Sequence, residues 1–120
     1  MELLSKLFGA RKGTGKHASE HAVTVHFLYG STNFQHVYAV EDLLRTAISE
    51  AKIGEYDHHF TARDGRDGWY YMYGPDAEAL YRVVQPVLEN ACFIPGATVT
   101  LWFGPPGRRT PKRVIEFPSL

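Results

Sequence analysis

Apolar and polar positions alternate from Ala22 to Gly30. Val23, Val25, Phe27 and Tyr29 fall on one side, and Thr24, His26 and Leu28 on the other. A repeat of two belongs to a strand with one buried face, because successive side chains leave a strand on opposite sides. Further on the period lengthens. Val40, Leu43, Leu44, Ala47, Ile48 and Ala51 recur at three and four residues, which predicts a helix over residues 39–52 with one face toward a core. Gly54 stands just past its end, where a left-handed cap favours glycine. Residues 55–62 read as a second strand and residues 69–73 as a third, dense in aromatics. Between them, Arg63 to Gly68 holds two Asp-Gly pairs, the chemistry of a hairpin turn. Asp76 is suited to cap a second helix over residues 77–91, with Leu80, Val84, Val87, Leu88 and Ala91 inward. Pro86 predicts a kink in it. Residues 97–103 alternate again, with Val99, Leu101 and Phe103 opposite Thr98, Thr100 and Trp102.

The order β-α-β-β-α-β is that of the ferredoxin-like split βαβ unit. Right-handed crossovers put strands one and three in the centre of a four-stranded antiparallel sheet, with both helices on one face. The expected class is therefore α+β, a ferredoxin-like sandwich over residues 21–107. Residues 1–20 precede it as a short amphipathic helix, carrying Leu3, Leu4, Leu7 and Phe8, and a flexible basic linker. Residues 108–120 follow as a basic tail, whose Val114, Ile115 and Phe117 allow a short edge strand. The parity of strands two and three stays open, because both parities carry large aromatics.

Composition adds bounds. Hydrophobic residues at 44% and charged residues at 22% fit one ordinary globular domain. No apolar run reaches the roughly 18–20 residues of a membrane-spanning helix, and no stretch reads as a secretion signal. The lone Cys92 excludes an internal disulfide and a cysteine-based zinc cluster, and fits the cytoplasm. Cys92 ends the second helix, where the dipole disfavours thiolate, so it reads as a packing residue. The formal net charge of zero conceals an uneven distribution. Residues 1–19 sum to +3, residues 105–120 to +3, and residues 20–104 to −6. Phosphate contact needs clustered positive charge, so an acidic body argues against nucleic-acid binding.

Three segments carry a family likeness: VEDLLRTAISEAKIGEYDHHF, YYMYGPDAEALYRVVQPVL and PGATVTLWFGPP. Over about residues 22–107 the chain resembles small bacterial ferredoxin-like domains that have no assigned function. The shared features are structural: a glycine after a helix, Gly-Pro-Asp at a strand-to-helix turn, Pro-Gly before the last strand. The resemblance implies a fold and no chemistry.

Asp57-His58-His59 is the most ligand-like cluster, and strict alternation would place Asp57 and His59 on one face. His26 is a geometric third ligand, but strand three separates it from strand two, and no His-Glu-x-x-His or Cys-x-x-Cys pattern occurs. No metal, cofactor or catalytic residue is therefore expected. Trp69 and Tyr71 share a face where RNA-recognition domains stack bases, yet RDGWYYMYG lacks the basic and glycine positions of that motif. Residues 1–10 suit docking on the protein itself or a neighbouring subunit, or weak association with an anionic membrane surface.

The leading expectation is a cytoplasmic, non-enzymatic binding or assembly module. It would form a homodimer or pair with another protein through its open sheet face, around His26, Leu28, Thr100 and Trp102, or through an edge. The alternatives are a small-molecule sensor or enzyme, with a pocket lined by Trp102, Tyr71, His26 and His59, and single-stranded nucleic-acid binding.

Overall fold

A computed structural model describes residues 20–119. The N-terminal helix and basic linker expected over residues 1–19 lie outside the described residues. Seven elements follow one another: β1 (His21–Leu28), α1 (Gln35–Ala51), β2 (Glu55–Thr61), β3 (Asp67–Gly74), α2 (Ala77–Glu89), β4 (Thr98–Trp102) and β5 (Lys112–Glu116). The five strands form one open antiparallel sheet in the order β2-β3-β1-β4-β5. With two helices on one sheet face, the class is α+β.

The sheet has one strand more than the four expected. After β4 the run Gly104-Pro105-Pro106-Gly107 reverses the chain, and β5 pairs antiparallel with β4. Ile115 lies opposite Val99 and packs against the main core, which gives an otherwise basic segment an apolar anchor. On the same face Arg113 makes a two-pronged ion pair with Glu78 of α2, at 2.8 and 2.9 Å.

The main core lies between the helices and the sheet. Val23, Val25 and Phe27 of β1, Tyr70 and Met72 of β3, and Val99 and Leu101 of β4 meet Val37, Val40, Leu44 and Ile48 of α1. Ala77, Leu80, Tyr81, Val84 and Leu88 of α2 complete it. Tyr70 donates its phenol proton to the Val37 carbonyl at 2.8 Å, so the ring enters the core with its polar tip paired.

Helix α1 starts earlier than expected. Asn33 Oδ1 accepts from the Gln35 amide, so the polar loop Ser31-Thr32-Asn33 serves as the lead-in to the helix. Val37 then extends the inward stripe, while Leu43, expected inward, is exposed. The helix ends on Lys52, itself left-handed at φ 55°, with its amide on the carbonyls of Ile48 and Ser49. Gly54 is therefore not the cap. Its need is close approach: a Cβ there would stand 2.1 Å from the Tyr73 carbonyl oxygen. Asp76 caps α2 by accepting from the amides of Glu78 and Ala79. That helix runs through Pro86 and stops at Glu89. Cys92, expected to pack, is exposed in the connection that follows.

Candidate functional site: the aromatic sheet face

The register assigns side chains to the sheet face away from the helices. Tyr73, Ala22, Trp102 and Lys112 form the row where β1 begins. Tyr71, Thr24, Thr100 and Val114 form the next, joined by His58 of β2. Phe60, Trp69, His26, Thr98 and Glu116 form the third, and Leu28 lies beyond it, beside Asp67.

A bulge decides what β2 contributes. The register shifts between Tyr56 and His58, so Tyr56 pairs with Met72, His58 with Tyr71, His59 with Tyr70 and Phe60 with Trp69. One extra residue flips the alternation after it. Tyr56 and His59 therefore face the helices, and His58 and Phe60 face away. His59, expected beside Trp102 and Tyr71, is on the wrong side of the sheet for that pocket. It donates from Nδ1 to Glu41 Oε2 of α1 at 2.6 Å and meets the Tyr38 ring edge-on. Tyr56 donates to the same Glu41 oxygen, also at 2.6 Å.

His26, Leu28, Tyr71, Thr100 and Trp102 do share the face, and His26 and Tyr71 belong to a run of four neighbouring rings. His26 lies 4.6 Å from Trp69, Trp69 stacks on Tyr71 at 6.1 Å and 11°, and His58 stacks on Tyr71 at 4.5 Å and 23°. Each outer imidazole is held by a carboxylate. His26 Nε2 donates to Asp67 Oδ2 at 2.8 Å, and His58 Nδ1 to Asp57 Oδ2 at 2.6 Å. Trp102 donates from its indole nitrogen to Thr24 Oγ1 at 3.1 Å, and the Lys112 ammonium sits 5.1 Å over its ring. Trp69 and His58, weighed above only for base stacking and metal binding, and Phe60 and Asp67 were not among the residues expected on the binding face. Trp69 shares the parity of Tyr71 and was legible; His58 and Phe60 reach the face only through the bulge.

Exposure changes steeply across this surface. Tyr71, Tyr73 and Trp102 are 0, 1 and 2% exposed, whereas Phe60 is 37% and Leu28 54% exposed. Burial pushes the Tyr71 phenol well above its ordinary range. The face expected to be open is thus closed at its centre where β1 begins, and open toward the end of β1 and along the edge strands. Its charged groups are mostly carboxylates: Asp57 and Asp67 at the ring stack and Glu116 on β5, against Lys112.

The three histidine–carboxylate pairs are separate from one another, and among the described residues no group of three His, Cys, Asp or Glu side chains is arranged to hold a metal ion. A histidine held by a carboxylate is half of an acid–base device, but among the described residues no hydroxyl or thiol nucleophile is hydrogen-bonded to any of these imidazoles. A cleft at the end of β1 is lined by Ser31, His36 and Cys92 among others. Ser31 Oγ accepts from the Asn33 amide, and the Tyr29 phenol donates to the Asn33 carbonyl, so the loop's own backbone takes up its polar groups. No helix of the described residues is long and apolar enough to cross a membrane. Comparison with known proteins finds no matching family model, no matching curated protein and no matching solved structure.

Proposed function

We propose that this chain is a non-enzymatic binding and assembly module of the cytoplasm, built on a ferredoxin-like β1-α1-β2-β3-α2-β4 unit. Its contact surface is the aromatic sheet face, and its first partner is a second copy of itself. The bacterial ferredoxin-like likeness belongs to the same proposal.

One observation carries the reading. Of the five exposed large hydrophobic side chains among the described residues, Leu28, Phe60 and Val114 lie on this one face, Leu28 and Phe60 on the side of the ring stack and Val114 on the far edge strand. Exposed apolar residues scattered singly over a surface need no explanation, but several gathered on one sheet face do. The edges are poorer candidates. β2 carries the bulge, and β5 is five residues long, flanked by Pro111 and Pro118, with Lys112, Arg113 and Glu116 along it. Bulges, prolines and charges are the devices that keep edge strands from pairing. The carboxylates beside the rings oppose nucleic acid, because stacking platforms for single strands sit in positively charged grooves.

Sedimentation velocity of the full chain tests the proposal. A concentration-dependent dimer is expected at micromolar protein. Phe60→Asp or Leu28→Asp should convert it to monomer, and Leu43→Asp, on the outer face of α1, should not. A protein monomeric at all concentrations, or a dimer that only Leu43→Asp disrupts, would overturn it.

A further inference from the structure

We infer that β5 sets how two copies meet: a two-fold axis crosses this strand at Val114, so that Lys112 of each copy lies opposite Glu116 of the other. The inference rests on the assembly reading and deepens it, by fixing the orientation of the second copy on the aromatic face.

The argument starts from the alternation of β5. Lys112, Val114 and Glu116 lie opposite Trp102, Thr100 and Thr98 of β4, and share with them the face away from the helices. Arg113 and Ile115 turn to the other side, to Glu78 of α2 and to the main core. The outer face of β5 therefore reads cation, apolar, anion at every second residue, and all three side chains are exposed.

Neither charge is satisfied inside the chain. Among the described residues Lys112 has the Trp102 ring, 5.1 Å away, but no carboxylate, and Glu116 has no ion pair or side-chain hydrogen bond. The two cannot reach each other, because four residues along a strand span about 13 Å and an ion pair closes within about 4 Å. Two other carboxylates of the face are engaged, Asp57 by His58 and Asp67 by His26.

Stacking this face on its own copy raises a charge problem that the pattern resolves. Lys112 is the one lysine or arginine that the register places on the face, against Glu55, Asp67 and Glu116. Two such faces oppose carboxylate to carboxylate unless each Lys112 is matched with an anion. Most dimers of identical chains are two-fold, and a two-fold contact is one patch meeting itself. An axis that lies in the interface and crosses β5 at its middle exchanges positions 112 and 116. Val114 then meets Val114 on the axis, and two lysine–glutamate pairs form together. An axis along the central strand β1 would instead lay β5 over β2 and set Glu116 opposite Phe60, leaving that carboxylate desolvated without a counter-charge. The contact uses the face of β5 and not its backbone edge, so Pro111 and Pro118, which discourage edge pairing, do not oppose it.

Two charge reversals test the inference in the full chain by sedimentation velocity. Lys112→Glu and Glu116→Lys each set like charges against one another twice per dimer, and each should raise the dissociation constant by about tenfold or more. Rescue is the diagnostic result. An equimolar mixture of the two substituted chains should dimerise at concentrations where neither does alone, because every facing pair is again opposite in charge. A chain carrying both substitutions should likewise recover self-association. Glu116→Lys removes no contact within the described residues, which keeps the test readable if Lys112→Glu disturbs Trp102. A dimer that survives both single reversals but not Phe60→Asp would overturn the inference and leave the assembly reading standing. Single reversals that abolish the dimer with no recovery on mixing would also overturn it, since the two charges would then not face each other. An unsubstituted chain that is monomeric throughout would sink the assembly reading and this orientation with it. Rescue on mixing, with a dimer indifferent to Phe60→Asp, would uphold the β5 contact and remove the ring stack from the interface.

Discussion

Glu41 is the point where α1 is tied to β2 by polar contacts rather than by apolar packing. One carboxylate oxygen accepts from the Tyr56 phenol and from His59 Nδ1, both at 2.6 Å, with Arg45 Nη2 3.9 Å away. Arg45 also lies over the Tyr56 ring at 5.0 Å. Glu41→Gln keeps a neutral acceptor and removes the charge. A hydrogen bond to a charged group contributes about 1.5–3 kcal/mol and a neutral one about 1 kcal/mol. Two such bonds in one network do not add in full, so the expected loss is about 1–3 kcal/mol. Glu41→Ala also leaves the Tyr56 hydroxyl and the His59 nitrogen without this acceptor and should cost more. With an m-value near 1 kcal/mol/M, the urea midpoint of Glu41→Gln falls by about 1–3 M. Combining it with Tyr56→Phe in a double-mutant cycle should return a coupling of about 1 kcal/mol. The pH dependence has a definite sign. Burial of the Glu41 carboxyl raises its pKa, but the hydrogen bonds from Tyr56 and His59 and the charges of His59 and Arg45 together outweigh it, so the pKa lies below its ordinary 4.5. A depressed folded-state pKa stabilises above the unfolded value, and that contribution is lost as pH falls through the folded one. The gap between the unsubstituted chain and Glu41→Gln should therefore be full at neutral pH and close below about pH 4.5. A loss under about 0.5 kcal/mol at neutral pH, or a gap that widens in acid, would refute the reasoning.

Other substitutions separate the causes of stability. Gly65 has φ 76°, and a Cβ there would come within 2.0 Å of the Ser31 carbonyl oxygen, so Gly65→Ala should lower the urea midpoint by an amount equivalent to about 2 kcal/mol or more. Leu44→Ala, at a fully buried core position, should cost about 2–5 kcal/mol, and Leu43→Ala next to it, half-exposed, under about 1 kcal/mol by the same measurement. A Leu43→Ala loss equal to that of Leu44→Ala would show that the helix is rotated from the position described.

Alternation made β1 and β4 legible because each is regular and has one apolar face. Val23, Val25 and Phe27 could be assigned to the helix side from sequence, and with them Thr24 and His26 to the opposite side. In β2 the same rule left the parity open, and His59, expected with Trp102 and Tyr71, lies on the helix side. A bulge leaves no mark in hydrophobicity, since Tyr56, His58, His59 and Phe60 are all large and aromatic. The open parity of β3 was settled by packing: Tyr70 reaches the Val37 carbonyl, and Trp69, Tyr71 and Tyr73 go to the other face. β5 reads as a basic tail because its interior-facing anchors are few, with Ile115 on the core side and Val114 on the other. The ring stack itself was half visible. Trp69 and Tyr71 share a parity, but His26 and His58 join them only through cross-strand register, which a linear sequence does not display.

The central claim is that this sheet face makes protein contacts. Native mass spectrometry of the untagged full chain at micromolar concentration, beside its denatured mass, tests it most directly. The account predicts a dimer at twice the chain mass with nothing added, and a monomer for Phe60→Asp. A chain that stays monomeric, or that retains a metal or an organic molecule in place of a second copy, would contradict it.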